Sequence, residues 1–263
     1  MVTVTSISTV DKVYETMSRP LRVYCSDYNH YICKFGRPYD LLNEMISAQF
    51  CLEWGIRVPQ SAYVQLRPEH LPTGLNRRQY DHLGYGSEYL EHAQELSEFL
   101  LTWRGNTYDI GRIVNREDLL LIGLFDLWIA NEDRNHNNAN LLIQPTHEGF
   151  FLVAIDHVNI FNTNTLEKGL VCLTQESSIL YSQYVPLLLG REKLQFAITK
   201  LEKEFPKKVA KCKTSLKKTL ADVPPEWGIN IEVQTKQMEQ LFSAEWAKEV
   251  IANFKLYIAL NFA

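Results

Sequence analysis

Apolar and polar positions alternate between residues 21 and 35, LRVYCSDYNHYICKF, where two short β-rich runs flank the turn-forming SDYNH. The pattern predicts a hairpin. In its second run Tyr31, Cys33 and Phe35 share one face while Ile32 and Lys34 share the other, so a lysine sits inside a strand. Such a lysine either blunts a sheet edge or serves chemistry. A helical period follows, with Leu42, Met45, Ile46, Phe50 and Trp54 as one apolar stripe, Asp40 as its N-cap, and Gly55 and Pro59 ending it. Glu44 shares a row with Leu41, Ala48 and Cys51. The helix dipole favours a carboxylate near the first turns but does not account for those apolar neighbours, which call for a cation. VPQSAYVQL reads as a returning strand, and residues 67–94, rich in turn formers and charge, as a connection between two halves. Residues 88–103 and 117–130 read as helices, the second (EDLLLIGLFDLWIA) apolar enough for the centre of the larger half. The strands LLIQ and FFLVAI follow, joined by PTHEG, and from about residue 186 the pattern is helical.

Composition narrows this picture. A chain of 263 residues, 46% hydrophobic and 22% charged, can bury a sizeable core. The net charge of −4 gives no global drive toward nucleic acid or anionic membrane. The basic run KLEKEFPKKVAKCKTSLKK is read as a solvated helix face, with no direct evidence for a nucleic-acid partner. No apolar stretch suffices for a membrane span and no secretory signal opens the chain, so it is expected to be soluble and cytoplasmic. Five scattered cysteines, without a CxxC pair, are expected to be reduced core residues.

The sharpest interruption of the apolar pattern is residues 129–143, IANEDRNHNNANLLI, polar from Asn131 to Asn140 save for Ala139. With the following hairpin symmetric about PTHEG, Gln144 faces Phe150, and Asn138 then falls opposite Asp156 of AIDH. Asp133, rigidly placed by the preceding helix, completes a set of Asp, Asn and second Asp at one end of the ribbon. Phosphoryl transfer needs that set: one carboxylate takes the proton of the attacking hydroxyl, while an amide oxygen and a second carboxylate hold magnesium on the phosphates. The strand lysine Lys34, anchored by Glu44, fits the remaining role on the α and β phosphates.

The order Lys34, Glu44, Asp133, Asn138 or Asn140, Asp156 resembles the protein-kinase superfamily, specifically the HipA-like kinases. The stretches that carry the resemblance are SRPLRVYCSDYNHYICKF, LLNEMISAQFCLEWGIRVPQSAYV, GYGSEYL, FDLWIANEDRNHNNANLLI, AIDH and VPPEW at 223–227. It implies an α+β, bilobal fold: a small β-rich N-lobe with one main helix over residues 1–83, a hinge at 84–92, and a mostly helical C-lobe at 93–263 carrying the catalytic hairpin. It further implies ATP and magnesium, transfer to a protein serine or threonine, Asp133 as base, Asp156 on the metal, and backbone groups of Tyr85 and Gly86 near adenine.

Two departures stand out. Asn138 has the usual five-residue spacing from the catalytic Asp, whereas Asn140 directly precedes the apolar strand; the hairpin register favours Asn138. The segment ETMSRPLRV, where a glycine-rich phosphate cradle is expected, has no glycine, leaving Ser18 and Arg19 as side-chain candidates for phosphate contact. The segment expected before the kinase core of full-length HipA toxins is missing from the pattern, so toxin behaviour does not follow from the resemblance. Competing readings are a small-molecule or lipid kinase, a catalytically silent binding module, and a metal-dependent hydrolase built on Asp133, His136, Asp156 and His157. Arg134 serves either transition-state charge or loop bracing, and Asp126 a buried polar partner such as a loop amide.

Overall fold

The fold is described from a computed structural model for residues 1–16, 18–102 and 110–262. Six strands, β1 (Val2–Thr5), β2 (Lys12–Val13), β3 (Leu21–Tyr24), β4 (His30–Lys34), β5 (Ser61–Gln65) and β6 (Gly84–Glu88), form one sheet in the order β1-β5-β6-β4-β3-β2. All its pairings are antiparallel except β1 with β5. The hairpin expected over 21–35 is β3–β4, and Lys34 lies between β3 and β6 rather than on an edge. Its ammonium is therefore not there to blunt an edge.

One face of the sheet buries Val4, Leu21, Val23, Cys33 and Val64, with Tyr80 from the 67–83 segment. Strand β6 is central to this packing. A Cβ at Gly86 would sit 2.6 Å from Val64 Cγ2, so only glycine lets β6 come this close. The opposite face, including Tyr63 and Tyr85, meets helix α1 (Pro38–Trp54), whose stripe joins the large core. Helix α1 starts two residues before the expected cap. Arg37 occupies the cap position, Pro38 the first turn, and Asp40 lies within that turn, paired with Arg37 at 3.0 Å.

The larger half contains α2 (Leu96–Thr102), α3 (Asp118–Ile129), α4 (Tyr184–Leu188), α5 (Arg191–Ala221), α6 (Ile231–Met238) and α7 (Ala244–Asn261), with a second sheet ordered β7 (Gln94–Glu95), β8 (Leu141–Thr146), β9 (Gly149–Ala154). Helix α3 is buried along nearly its whole length, as its composition requires. The helix read over 88–103 begins only at Leu96, because Glu88 still belongs to β6 and residues 94–95 pair with β8; its last residue, like 104–109, lies outside the described residues. For the same reason the hinge read over 84–92 is, in its first five residues, a central strand of the first sheet. Helix α5 runs through Pro206, which is exposed, so the carbonyl left unpaired faces water. The five cysteines are all free.

The VPPEW stretch ties the halves together from behind. Trp227 donates its indole N–H to the Leu83 carbonyl (2.8 Å) and sets its ring edge-on to Tyr63, whose hydroxyl donates to the Asp222 carbonyl (2.6 Å). No helix among the described residues is long and apolar enough to cross a membrane.

Candidate active site

Strand β4 and helix α1 bring Lys34 and Glu44 into direct contact, and Lys34 Nζ also donates to Asp156 Oδ1 at 2.8 Å. Lys34 and Glu44 are enclosed, with side chains 13% and 5% exposed, whereas Asp156 is 39% exposed and opens the cluster to the outside. The second Glu44 oxygen accepts the His157 backbone N–H at 3.2 Å, fixing α1 to the residue that follows Asp156. Burial, the largest single influence, would raise the Asp156 pKa, but the charge and hydrogen bond of Lys34, with the Val158 N–H and the Arg134 charge, together hold the carboxyl below its ordinary value. Glu44, deeper, is pushed above its ordinary value by burial, which the Lys34 charge only partly offsets. Lys34 itself is held strongly in its charged form: burial opposes the charge, but the two carboxylates prevail.

Asp133 is linked through the polar loop to the residue that precedes Asp156. Its Oδ2 accepts the Asn140 side-chain amide at 3.2 Å, and the Asn140 carbonyl accepts the Ile155 N–H at 3.1 Å, one residue before Asp156. The hairpin register differs by one residue from the symmetric expectation. Leu141 pairs with Ala154 and Gln144 with Phe151, and a two-residue loop, His147–Glu148, closes the ribbon. Pro145 is tolerated inside β8 because the backbone of its partner Phe150 bonds instead to Arg112 and Val114, at 2.9 Å each. Asn138 is consequently not opposite Asp156. It is exposed, and its carbonyl closes a turn by accepting the Asn135 N–H at 3.0 Å. That turn absorbs the extra residues between Asp133 and Asn140, and brings Asn140 to the carboxylate.

Arg134 has no exposed surface, which decides between its two readings. It pairs with Asp126 of α3 (Nε to Oδ2, 2.9 Å) and donates to the carbonyls of Ala139 (3.3 Å), Asn140 (2.5 Å) and Ile155 (3.3 Å), and to His157 Nε2 (2.8 Å). One guanidinium thus gathers the entry to β8 and the exit from β9, at the open end of the ribbon, onto α3. Asp126 also accepts from Asn131 at 2.9 Å, the loop amide its burial called for. The clamp holds backbone that would otherwise relax: Ala130, Asn140 and Asp156 adopt φ of 50°, 45° and 54° without being glycine.

Since His157 Nε2 accepts from Arg134, its proton lies on Nδ1 and the ring is neutral. Burial, aided by the Arg134 and Lys34 charges, keeps its pKa well below the ordinary value. In the unfolded chain the same ring takes up a proton below about pH 6.5. The folded pKa being the lower, the native state loses stability as pH falls below the unfolded value, by about 1.4 kcal/mol per unit until the folded pKa is reached. Urea midpoints at pH 7.5 and 5.5 test this: the drop is expected to be smaller in His157→Gln than in wild type, and an equal drop refutes the assignment. A committed Nε2 also removes His157 from any metal set, and His136 is exposed. Among the described residues no three His, Cys, Asp or Glu side chains converge as a metal site, so the hydrolase reading lacks its ligands.

The remaining candidates are placed differently. Tyr85 and Gly86 lie in β6 between β4 and β5, where the ladders on both sides occupy the strand's backbone groups. The chain leaves the ladder after the Tyr89 N–H, which bonds the His30 carbonyl at 2.7 Å. Ser18 and Arg19 lie in the exposed turn between β2 and β3, neither side chain bonded among the described residues. Arg19 takes φ 44°, a conformation glycine would adopt more readily.

A search of solved structures finds the fold in the crystal structure of a Helicobacter pylori proinflammatory kinase, CtkA, at 11% identity, with a TM-score of 0.54 and coverage of 99% of this chain and 98% of that one. At that identity the likeness concerns the fold alone. No curated protein matches the sequence. The profile of the family described as HipA-like kinase matches residues 7–255. The chain belongs to the HipA-like kinase family.

Proposed function

We propose that the chain transfers the γ-phosphoryl group of ATP to a serine or threonine hydroxyl of a protein, with magnesium, at a site built from Lys34, Glu44, Asp133 and Asp156. The contact of Lys34 with both Glu44 and Asp156 carries this reading, because it joins the phosphate-binding strand, its anchoring helix and the end of the catalytic hairpin. Lys34 is placed for the α and β phosphates, with Glu44 orienting its ammonium. The Asn140 amide donates to one Asp133 oxygen, which leaves the other for the acceptor hydroxyl. Asp133 takes the hydroxyl proton as the acceptor oxygen bonds to the γ-phosphorus and the bridge to ADP breaks.

The donor set suits a hard divalent cation that shares its coordination with phosphates. Asp156 stays partly exposed beside Lys34, the Asn140 side chain uses its N–H on Asp133 and not its oxygen, and both carboxylate and amide oxygens belong to the hard class. Asn138 is the less favoured ligand, since it lies at the exposed turn. Magnesium, when bound, neutralises charge on the phosphates during transfer. For adenine, the connection beyond Tyr89 replaces Tyr85 and Gly86, whose backbone groups are taken. Ser18 and Arg19 stay as phosphate contacts that require their turn to close over the nucleotide.

Incubation with γ-labelled ATP and magnesium, alone and with cell extract, tests the reading. Label on the chain itself or on an extract protein is expected and disappears in Lys34→Met. Label confined to small molecules identifies a small-molecule kinase, and nucleotide binding without transfer identifies a silent module. Either result overturns the proposal.

A further inference from the structure

Beyond Asp156 the backbone takes an unusual course. Phe161, Asn162, Thr163 and Asn164 hold φ of 57°, 49°, 56° and 67°, a left-handed turn built without glycine. Such backbone is ordinarily confined to single residues, because Cβ crowds the following carbonyl oxygen. A run of this length persists only where its surroundings over-determine it.

Two polar clusters do so. On one side Glu132 accepts from Asn162 Nδ2 (3.2 Å) and from the Thr163 hydroxyl (2.7 Å), its own N–H bonds the Asn159 carbonyl (3.3 Å), and the Asn162 N–H bonds the Ala130 carbonyl (3.1 Å). On the other, Asn43 of α1 donates to the Val158 carbonyl and to Asn164 Oδ1, both at 2.7 Å, while Asn164 donates to Asp40 at 3.2 Å. Glu132 immediately precedes Asp133, and Asn43 immediately precedes Glu44. The turn therefore joins the loop of the base to the helix that orients Lys34. Glu132 and Thr163 are both exposed, so their bonds compete with water while strain in the turn favours release.

We infer that Glu132 is a positioning residue: with Asn162 and Thr163 it latches the left-handed turn onto the catalytic loop and sets Asp133 against the Lys34–Glu44–Asp156 cluster. The role deepens the phosphotransferase reading and rests on it, although the latch itself is a property of the fold. Opening it leaves Lys34, Glu44 and Asp156 in place, so the loss falls on transfer rather than on nucleotide binding.

Glu132→Ala, Thr163→Val and Thr163→Ser test this in the full chain. Single-turnover loss of label from γ-labelled magnesium-ATP is expected to slow about tenfold or more in the first two, with the nucleotide dissociation constant within about twofold of wild type. Thr163→Ser, which keeps the hydroxyl, restores the rate lost in Thr163→Val. Hydrogen exchange reports the latch without activity: the Glu132 and Asn162 amides exchange faster in Glu132→Ala, while the first turns of α1 and the thermal midpoint change little. Wild-type rates, or faster exchange confined to residues 159–164, overturn the inference. If wild type transfers no phosphate, the functional reading falls, and the exchange pattern alone decides the latch.

Discussion

Asp133→Asn is expected to slow phosphoryl transfer by about 10²–10⁴-fold, the range that a positioned general base contributes. The substitution keeps size and an oxygen that can still accept the Asn140 amide, so the loop has no reason to move. What it removes is the basicity that takes the hydroxyl proton. Nucleotide affinity is expected to stay within about twofold, because the phosphates are assigned to Lys34 and Asp156 and not to Asp133. Single-turnover transfer and equilibrium nucleotide binding, measured on the same preparation, check both halves of the statement. A rate near that of wild type would move the base elsewhere.

Arg134→Met is expected to produce the largest loss of stability. It leaves the Asp126 carboxylate buried without its cation, and breaking one partner of a buried pair costs about 3–5 kcal/mol. It also strands the Ala139 and Ile155 carbonyls, which the guanidinium serves. Urea denaturation measures the change, and Asp126→Leu together with Arg134→Met is expected to cost less than Arg134→Met alone. A single-variant cost below about 1 kcal/mol would mean that water replaces the clamp, contrary to its complete burial.

The parts of this site that were legible in the chain are those whose pattern conflicts with simple burial. Lys34 in a strand and Glu44 in an apolar row each demand a partner, and the structure makes them partners of one another. Asp126, an acid inside an apolar helix, likewise points to its loop. Contacts set by distant backbone were not legible. Residues 112–114 take the hydrogen bonds of Phe150, the β8–β9 register lies one residue from the symmetric one that set Asn138 opposite Asp156, and it is Asn140 that meets Asp133. Strand β1 escaped notice because Val4 is its only buried residue, which leaves no alternation to read. The central place of β6, which occupies the backbone of Tyr85 and Gly86, depends on pairing with two strands distant in sequence. Glu132 had no signal beyond being one more polar residue beside Asp133, since its partners Asn162 and Thr163 lie beyond the hairpin.

The account as a whole requires that Lys34 and Asp156 face one nucleotide. Calorimetric titration of ATP into wild type, Lys34→Met and Asp156→Asn, with and without magnesium, measures this directly. Binding to wild type is predicted to depend on magnesium, to weaken in Lys34→Met, and to lose its magnesium dependence in Asp156→Asn. Equal binding by all three chains irrespective of magnesium, or none by wild type, would contradict it.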